Sequence, residues 1–140
     1  MSIDRPTDRA EIVELLHRYS WALLDKDWAT WKACFTDDAH VDYSTAGGIV
    51  GTAAEGAAWL EPTMAMFEVA VSQSSNAVVS FEGDDVASAR SMYRMLMKIG
   101  GADGAAATFM EAQGEYHDRF ARTAEGWRLA GRVEKLLYVR

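Results

Sequence analysis

Cysteine, proline, histidine and positive charge are all in short supply in this chain of 140 residues. Its single cysteine, Cys34, excludes an intrachain disulfide and fits a reducing compartment, so a cytoplasmic location is expected. Cys34 stands beside Phe35 in a core-like segment and reads as packing rather than as a nucleophile; no G-x-S-x-G elbow offers an alternative. The three histidines, His17, His40 and His117, are far apart and form no H-x-H or H-E-x-x-H pair, so no metal site is expected. No G-x-G-x-x-G or Walker-type loop is present, and Gly100-Gly101 precedes a strand-like segment, so no phosphate cradle or nucleotide cofactor is expected. Fourteen Lys and Arg stand against 21 Asp and Glu, a formal net charge of -7. That balance argues against a nucleic acid and against an anionic membrane surface. No apolar run is long enough to span a bilayer, and the opening MSIDRPTDRAEI has no apolar signal core.

What is present is a hydrophobic content of 49%, ample for one core, and a length that suits one domain spanning residues 1–140. After a short leader (1–7), Ile12, Leu16, Tyr19 and Leu23 recur at helical spacing. The spacing predicts a helix from about Asp8, capped by Asp8 with Glu11 in the capping-box relation, to Leu24. Asp25-Lys26-Asp27 ends it. Asp27 caps a second short helix carrying Trp28 and Trp31, and Thr36-Asp37-Asp38 reads as a turn. From Ala39 to Ser44 polar and apolar residues alternate, with Val41 and Tyr43 on one face. Thr52 is the expected cap of a third helix through Trp59 and Leu60, with a break at Glu61-Pro62. From Val69 the period becomes two. Residues 72–81, 86–99, 106–122 and 127–139 read as four long strands, joined by short turns that impose antiparallel pairing.

The stretch Tyr19–Tyr43 concentrates the polar groups that have an apolar wall beside them. Tyr19, Asp25 and Tyr43 sit near Trp21, Trp28, Trp31 and Phe35 in sequence. A carboxyl beside such a wall holds its proton to higher pH, which suits it to proton transfer. Asp25 is therefore the expected base, and Tyr19 and Tyr43 the expected donors to a developing oxyanion.

The segments RYSWALLDKDWATWKACFTDDAHVDY (18–43), GTAAEGAAWL (51–60), SSNAVVSFEGDDVASARS (74–91) and GEYHDRFARTAEGWRLAGR (114–132) together resemble the SnoaL-like branch of the nuclear transport factor 2-like superfamily. The resemblance implies a cone of curved sheet closed by helices, dimeric through the outer sheet face, that binds hydrophobic small molecules. Many members carry out elimination, isomerisation or ring closure; some bind without catalysis. In the dehydratases of that branch a first-helix tyrosine corresponds to Tyr19 and a first-strand tyrosine to Tyr43. Their catalytic aspartate falls on Leu24, one residue before Asp25, and their histidine falls on Ser72.

The expected fold is thus α+β, with N-terminal helices packed in a strongly curved antiparallel sheet, a cone-shaped α+β barrel. The expected site is one cavity, with Asp25, Tyr19 and Tyr43 catalytic and Leu24, Trp59, Ser72, Tyr93 and His117 binding substrate. The expected ligand is a small hydrophobic ring-bearing compound, without cofactor or metal. Large apolar residues on both faces of 92–99 imply a homodimer. Two functions remain open: a lyase, isomerase or cyclase, and a non-catalytic binding or accessory protein.

Overall fold

The structure, a computed structural model, describes residues 5–140. The first part of the expected leader, residues 1–4, lies outside the described residues. Helix α1 (Pro6–Asp25) opens with proline at its first position, which costs it no hydrogen bond. Asp8 and Glu11 do not form the expected capping box, because Arg5 is the N-cap. They reach across to the last strand instead. Asp8 accepts from the Trp127 indole N–H at 3.1 Å, and Glu11 accepts from the Trp127 backbone N–H at 3.0 Å. Lys26 in the left-handed conformation ends the helix. Helix α2 (Trp28–Ala33) starts at Asp27, whose carboxylate accepts from the Thr30 amide as expected.

Strand β1 (Phe35–Asp42) includes Thr36-Asp37-Asp38, where a turn was expected. The irregularity is a register shift between Phe35 and His40, so the polar triplet bulges without leaving the sheet. Strand β2 (Val50–Thr52) leads into α3 (Ala53–Ala65), which has a full Thr52–Glu55 capping box. The expected break at Pro62 does not occur, and the helix continues to Ala65. The proline denies its preceding turn a backbone donor, and the Thr63 hydroxyl bonds the Trp59 carbonyl at 2.7 Å.

Strands β3 (Val69–Glu82), β4 (Val86–Gly100), β5 (Ala107–Thr123) and β6 (Gly126–Val139) form the long meander that the alternation predicts. The sheet order is β2-β1-β6-β5-β4-β3. All neighbours are antiparallel except β1 and β6, which run parallel. The sheet is therefore mixed, and it is an open cone rather than a closed barrel, with β2 and β3 as its edges. Its concave face and the helices bury one core. Ile12, Leu15, Leu16, Tyr19 and Leu23 of α1 meet Trp31, Phe35, Val41, Phe120, Trp127 and Leu129 there. No helix among the described residues is long and apolar enough to cross a membrane.

Candidate functional site

The inner face of the sheet is set by pairing, because residues directly opposite on neighbouring strands point to the same side. On β4 and β5 the alternation is regular: Tyr93, Met95 and Met97 face inward, as do Tyr116, Asp118 and Phe120. On β6, two register shifts against β5 skip Ala130 and Leu137. The first shift places Arg132 opposite Asp118 and Glu134 opposite Tyr116, so both charged side chains turn inward.

These strands, α1 and α3 enclose a cavity of about 200 Å³. Leu23, Leu60, Met64, Phe67, Met95 and Met97 supply apolar wall. Tyr19, Tyr43, Tyr93, Tyr116 and Glu134 supply its polar groups. Trp59 closes one side and stacks on Tyr43 with ring centroids 6.4 Å apart.

The Tyr19 and Tyr43 hydroxyls are hydrogen-bonded at 2.7 Å. Burial raises the pKa of both, well above the usual range for Tyr43, and Tyr116 is raised well above it for the same reason. These phenols therefore keep their protons near neutral pH and act as donors rather than bases. Beneath them lies Arg132, with its guanidinium 4.2 Å from the Tyr19 ring centroid and 3.7 Å from that of Tyr116. Arg132 is tied to Asp118 by bonds of 2.8 and 2.9 Å.

Glu134 is the only carboxylate lining the cavity among the described residues. It is 7% exposed. Burial raises its pKa above the ordinary glutamate value; the nearby Tyr93 hydroxyl and Arg132 pull it back in part, and Asp42 adds to the rise. The Tyr93 hydroxyl is buried and closes no hydrogen bond of normal geometry. It lies near enough to Glu134 to favour the charged carboxylate.

Of the residues that the sequence nominates, Tyr19, Tyr43, Trp59 and Tyr93 come together in this cavity. Asp25 does not; it is exposed at the last residue of α1. Two residues beyond the inward-facing Leu23, it is turned about 200° around the helix axis. Leu24 and Ser72 also lie outside the cavity, in a recess between α1 and β3 that His17, Ser20 and Trp21 share. Ser72 is paired with Met95, on the inner face, but α1 covers that end of β3. His117 is on the outer face of β5, its Nε2 3.4 Å from Glu115. Odd-numbered β5 residues there alternate with the buried Tyr116 and Asp118. The residues missed from the sequence are Glu134, Tyr116 and Arg132.

The architecture is that of the cavity-bearing α+β cones. The chain belongs to the family of the SnoaL-like domain, whose sequence model matches residues 4–133. It is 32% identical over 134 residues to an uncharacterized protein, Rv2910c, of Mycobacterium tuberculosis, covering 96% of this chain and 88% of the relative. Among solved structures it is similar to the Kfla4162 protein of Kribbella flavida, with 26% identity and a TM-score of 0.84 over 98% of this chain and 95% of the other. A hexachlorocyclohexane dehydrochlorinase, LinA type 2, shares the fold at 16% identity, with a TM-score of 0.77 over 94% of this chain and 86% of that one.

Proposed function

We propose that the protein binds a small hydrophobic ring-bearing compound carrying an oxygen and transfers a proton on it without a cofactor, as a lyase, isomerase or cyclase. The observation that carries this reading is the Tyr19–Tyr43 hydroxyl pair at 2.7 Å, set in an otherwise mostly apolar cavity. A protonated phenol bordering an apolar space, with a second hydroxyl bonded to it, stabilises negative charge as it develops on a ligand oxygen, because water does not screen it. A cavity of about 150 Å³ holds benzene. A cavity of about 200 Å³ therefore suits one or two fused rings better than a steroid. The dehydrochlorinase of the same fold is consistent with elimination chemistry.

A second reading has its own observation. Leu24 and Ser72 stand where the dehydratases of the branch carry their acid and histidine, and both lie in the recess away from the cavity. That favours a ligand carrier or accessory protein without turnover.

The test is a thermal-shift screen. Bicyclic ketones and phenols should raise Tm with concentration, and nucleotides should not. The two readings then separate on whether a bound ketone exchanges its α-hydrogens with solvent. Stabilisation by nucleotides alone removes both. In this reading the protein works in the cytoplasm as a homodimer, its outer sheet face presenting Val78, Leu96, Val133 and Leu137 to a second copy. Light scattering at micromolar concentration should give twice the chain mass; a monomer mass contradicts the dimer.

A further inference from the structure

We propose that Glu134 is the proton-carrying residue of the cavity, taking a proton from the carbon beside a bound ligand's carbonyl while the Tyr19–Tyr43 pair holds that carbonyl's oxygen. This rests on the proton-transfer reading above.

Three acids are buried on the paired strands β5 and β6, and they differ in what satisfies them. Glu111 is held by Arg94 and Arg140, away from the cavity. Asp118 receives both bonds of the Arg132 fork and does not line the cavity. Glu134 has no guanidinium fork of its own: its polar neighbours are the Tyr93 hydroxyl and, less directly, Arg132, and it opens to the cavity. A carboxylate buried with so little to compensate its charge costs the fold stability, and a buried acid facing a cavity in this way is a candidate for proton transfer. The tyrosines cannot take this role, since burial holds their protons on. Asp25 cannot, since it faces solvent.

The neighbourhood is arranged around Glu134 from every side. Tyr19 of α1, Tyr93 of β4 and Tyr116 of β5 all feel its charge. Arg132 of β6 favours its ionised form, and Asp42 of β1 disfavours it. Gly114 lets the Tyr93 ring lie flat across β5 toward β6, since a Cβ there would stand 2.7 Å from that ring.

The step balances within the site. The C–H bond next to the carbonyl breaks, and its proton forms an O–H bond on Glu134. The electron pair moves through the new carbon–carbon double bond onto the oxygen, giving an enolate that accepts from the free hydroxyl of the Tyr19–Tyr43 pair, while the other hydroxyl donates to its partner. The protonated Glu134 then returns the proton to carbon, at the same or a conjugated position. A burial-raised pKa brings donation and acceptance closer to balance near neutral pH.

The experiment uses the full chain in deuterated buffer, with β-tetralone as ketone probe and β-naphthol as a non-reacting phenol. Proton NMR reads α-hydrogen exchange, and fluorescence reads β-naphthol binding. The wild type is expected to bind both and to accelerate exchange over buffer. Glu134→Gln is expected to bind β-naphthol within about threefold of wild type and to lose exchange by about 100-fold or more. Glu134→Asp should keep part of it. A Glu134→Gln protein that binds and exchanges at the wild-type rate overturns Glu134 and leaves the proton-transfer reading standing. A wild type that binds but never exchanges overturns both in favour of the carrier. A wild type that binds neither probe removes the cavity reading altogether. If Glu134→Gln does not fold, the pH profile of the wild type decides. An exchange rate rising to a plateau with a midpoint above the ordinary glutamate range supports the assignment; a flat profile between about pH 5 and 8 overturns it.

Discussion

Arg132 grips Asp118 through two parallel bonds across the β5–β6 pair, at 2.8 and 2.9 Å, and neither side chain shows more than 1% of its surface. The pair sits under the tyrosine rings and fixes the height of the cavity floor.

Removing one member of that pair leaves a buried charge alone. Asp118→Ala is expected to lose about 3–5 kcal/mol of unfolding free energy in urea titrations. The double variant Asp118→Leu, Arg132→Met removes both charges and should lose less than the single one. A single variant as stable as the double contradicts this reading of the floor.

The Tyr19–Tyr43 bond predicts two separable effects. Tyr43→Phe and Tyr19→Phe should each cost about 1 kcal/mol of stability, and the double variant less than their sum, because both singles break the same bond. Each should weaken β-naphthol binding while leaving naphthalene binding unchanged. Equal losses for both ligands mean that the hydroxyls do not hold the oxygen.

Glu134 makes stability depend on pH in a stated direction. Its folded-state pKa lies above the ordinary glutamate value of about 4.5 that it has when unfolded, mainly through burial. Below that unfolded value the carboxyl is protonated in both states and Glu134 exacts no penalty. As pH rises through the folded-state pKa, the folded chain loses its proton-binding advantage and stability falls. Glu134→Gln should therefore gain Tm over wild type above that pKa, with the gain shrinking on acidification and gone below about 4.5. A difference constant across the range shows that Glu134 is not shifted.

Gly114 predicts a cost of a different kind. An added Cβ collides with the Lys135 carbonyl and stands 2.7 Å from the Tyr93 ring. Gly114→Ala should destabilise the protein by about 1–3 kcal/mol and move Tyr93 off its stack with Tyr116, whose ring centroids are 4.5 Å apart. Near-ultraviolet circular dichroism should report the lost stacking. An unchanged spectrum and stability contradict the close approach.

The long strands were legible because a solvated face and a buried face alternate along them, as in the β4 run from Ala87 to Met97. Tyr19, Tyr43, Trp59 and Tyr93 were legible for the same reason, each being the large polar-tipped residue on an otherwise apolar face. Glu134 was not. Alternation counted forward from Trp127 and Leu129 puts Gly131 and Val133 inward and Glu134 outward. The skipped Ala130 reverses that parity, and a bulge is invisible to a period-two count. Gly131 inside a strand is the one local hint of it. Asp25 was misplaced because nearness to a Trp-rich segment in sequence says nothing about helical phase, and the phase turns it to solvent.

The parallel pairing of β1 with β6 ties the beginning of the sheet to its last strand in chain order. A chain emerging from the ribosome reaches residue 42 early, yet β1 has only the three-residue β2 beside it until residues 126–139 are made. Until then Tyr43 and the unpaired side of β1 stay open to water and to other nascent chains. Closure of a loop this long is slow compared with the hairpins of the meander. The same insertion delivers Arg132 and Glu134, so the meander can form first while the cavity has no floor. High expression rates should then push this chain toward aggregation at the β1 edge, and slower synthesis at low temperature should relieve it.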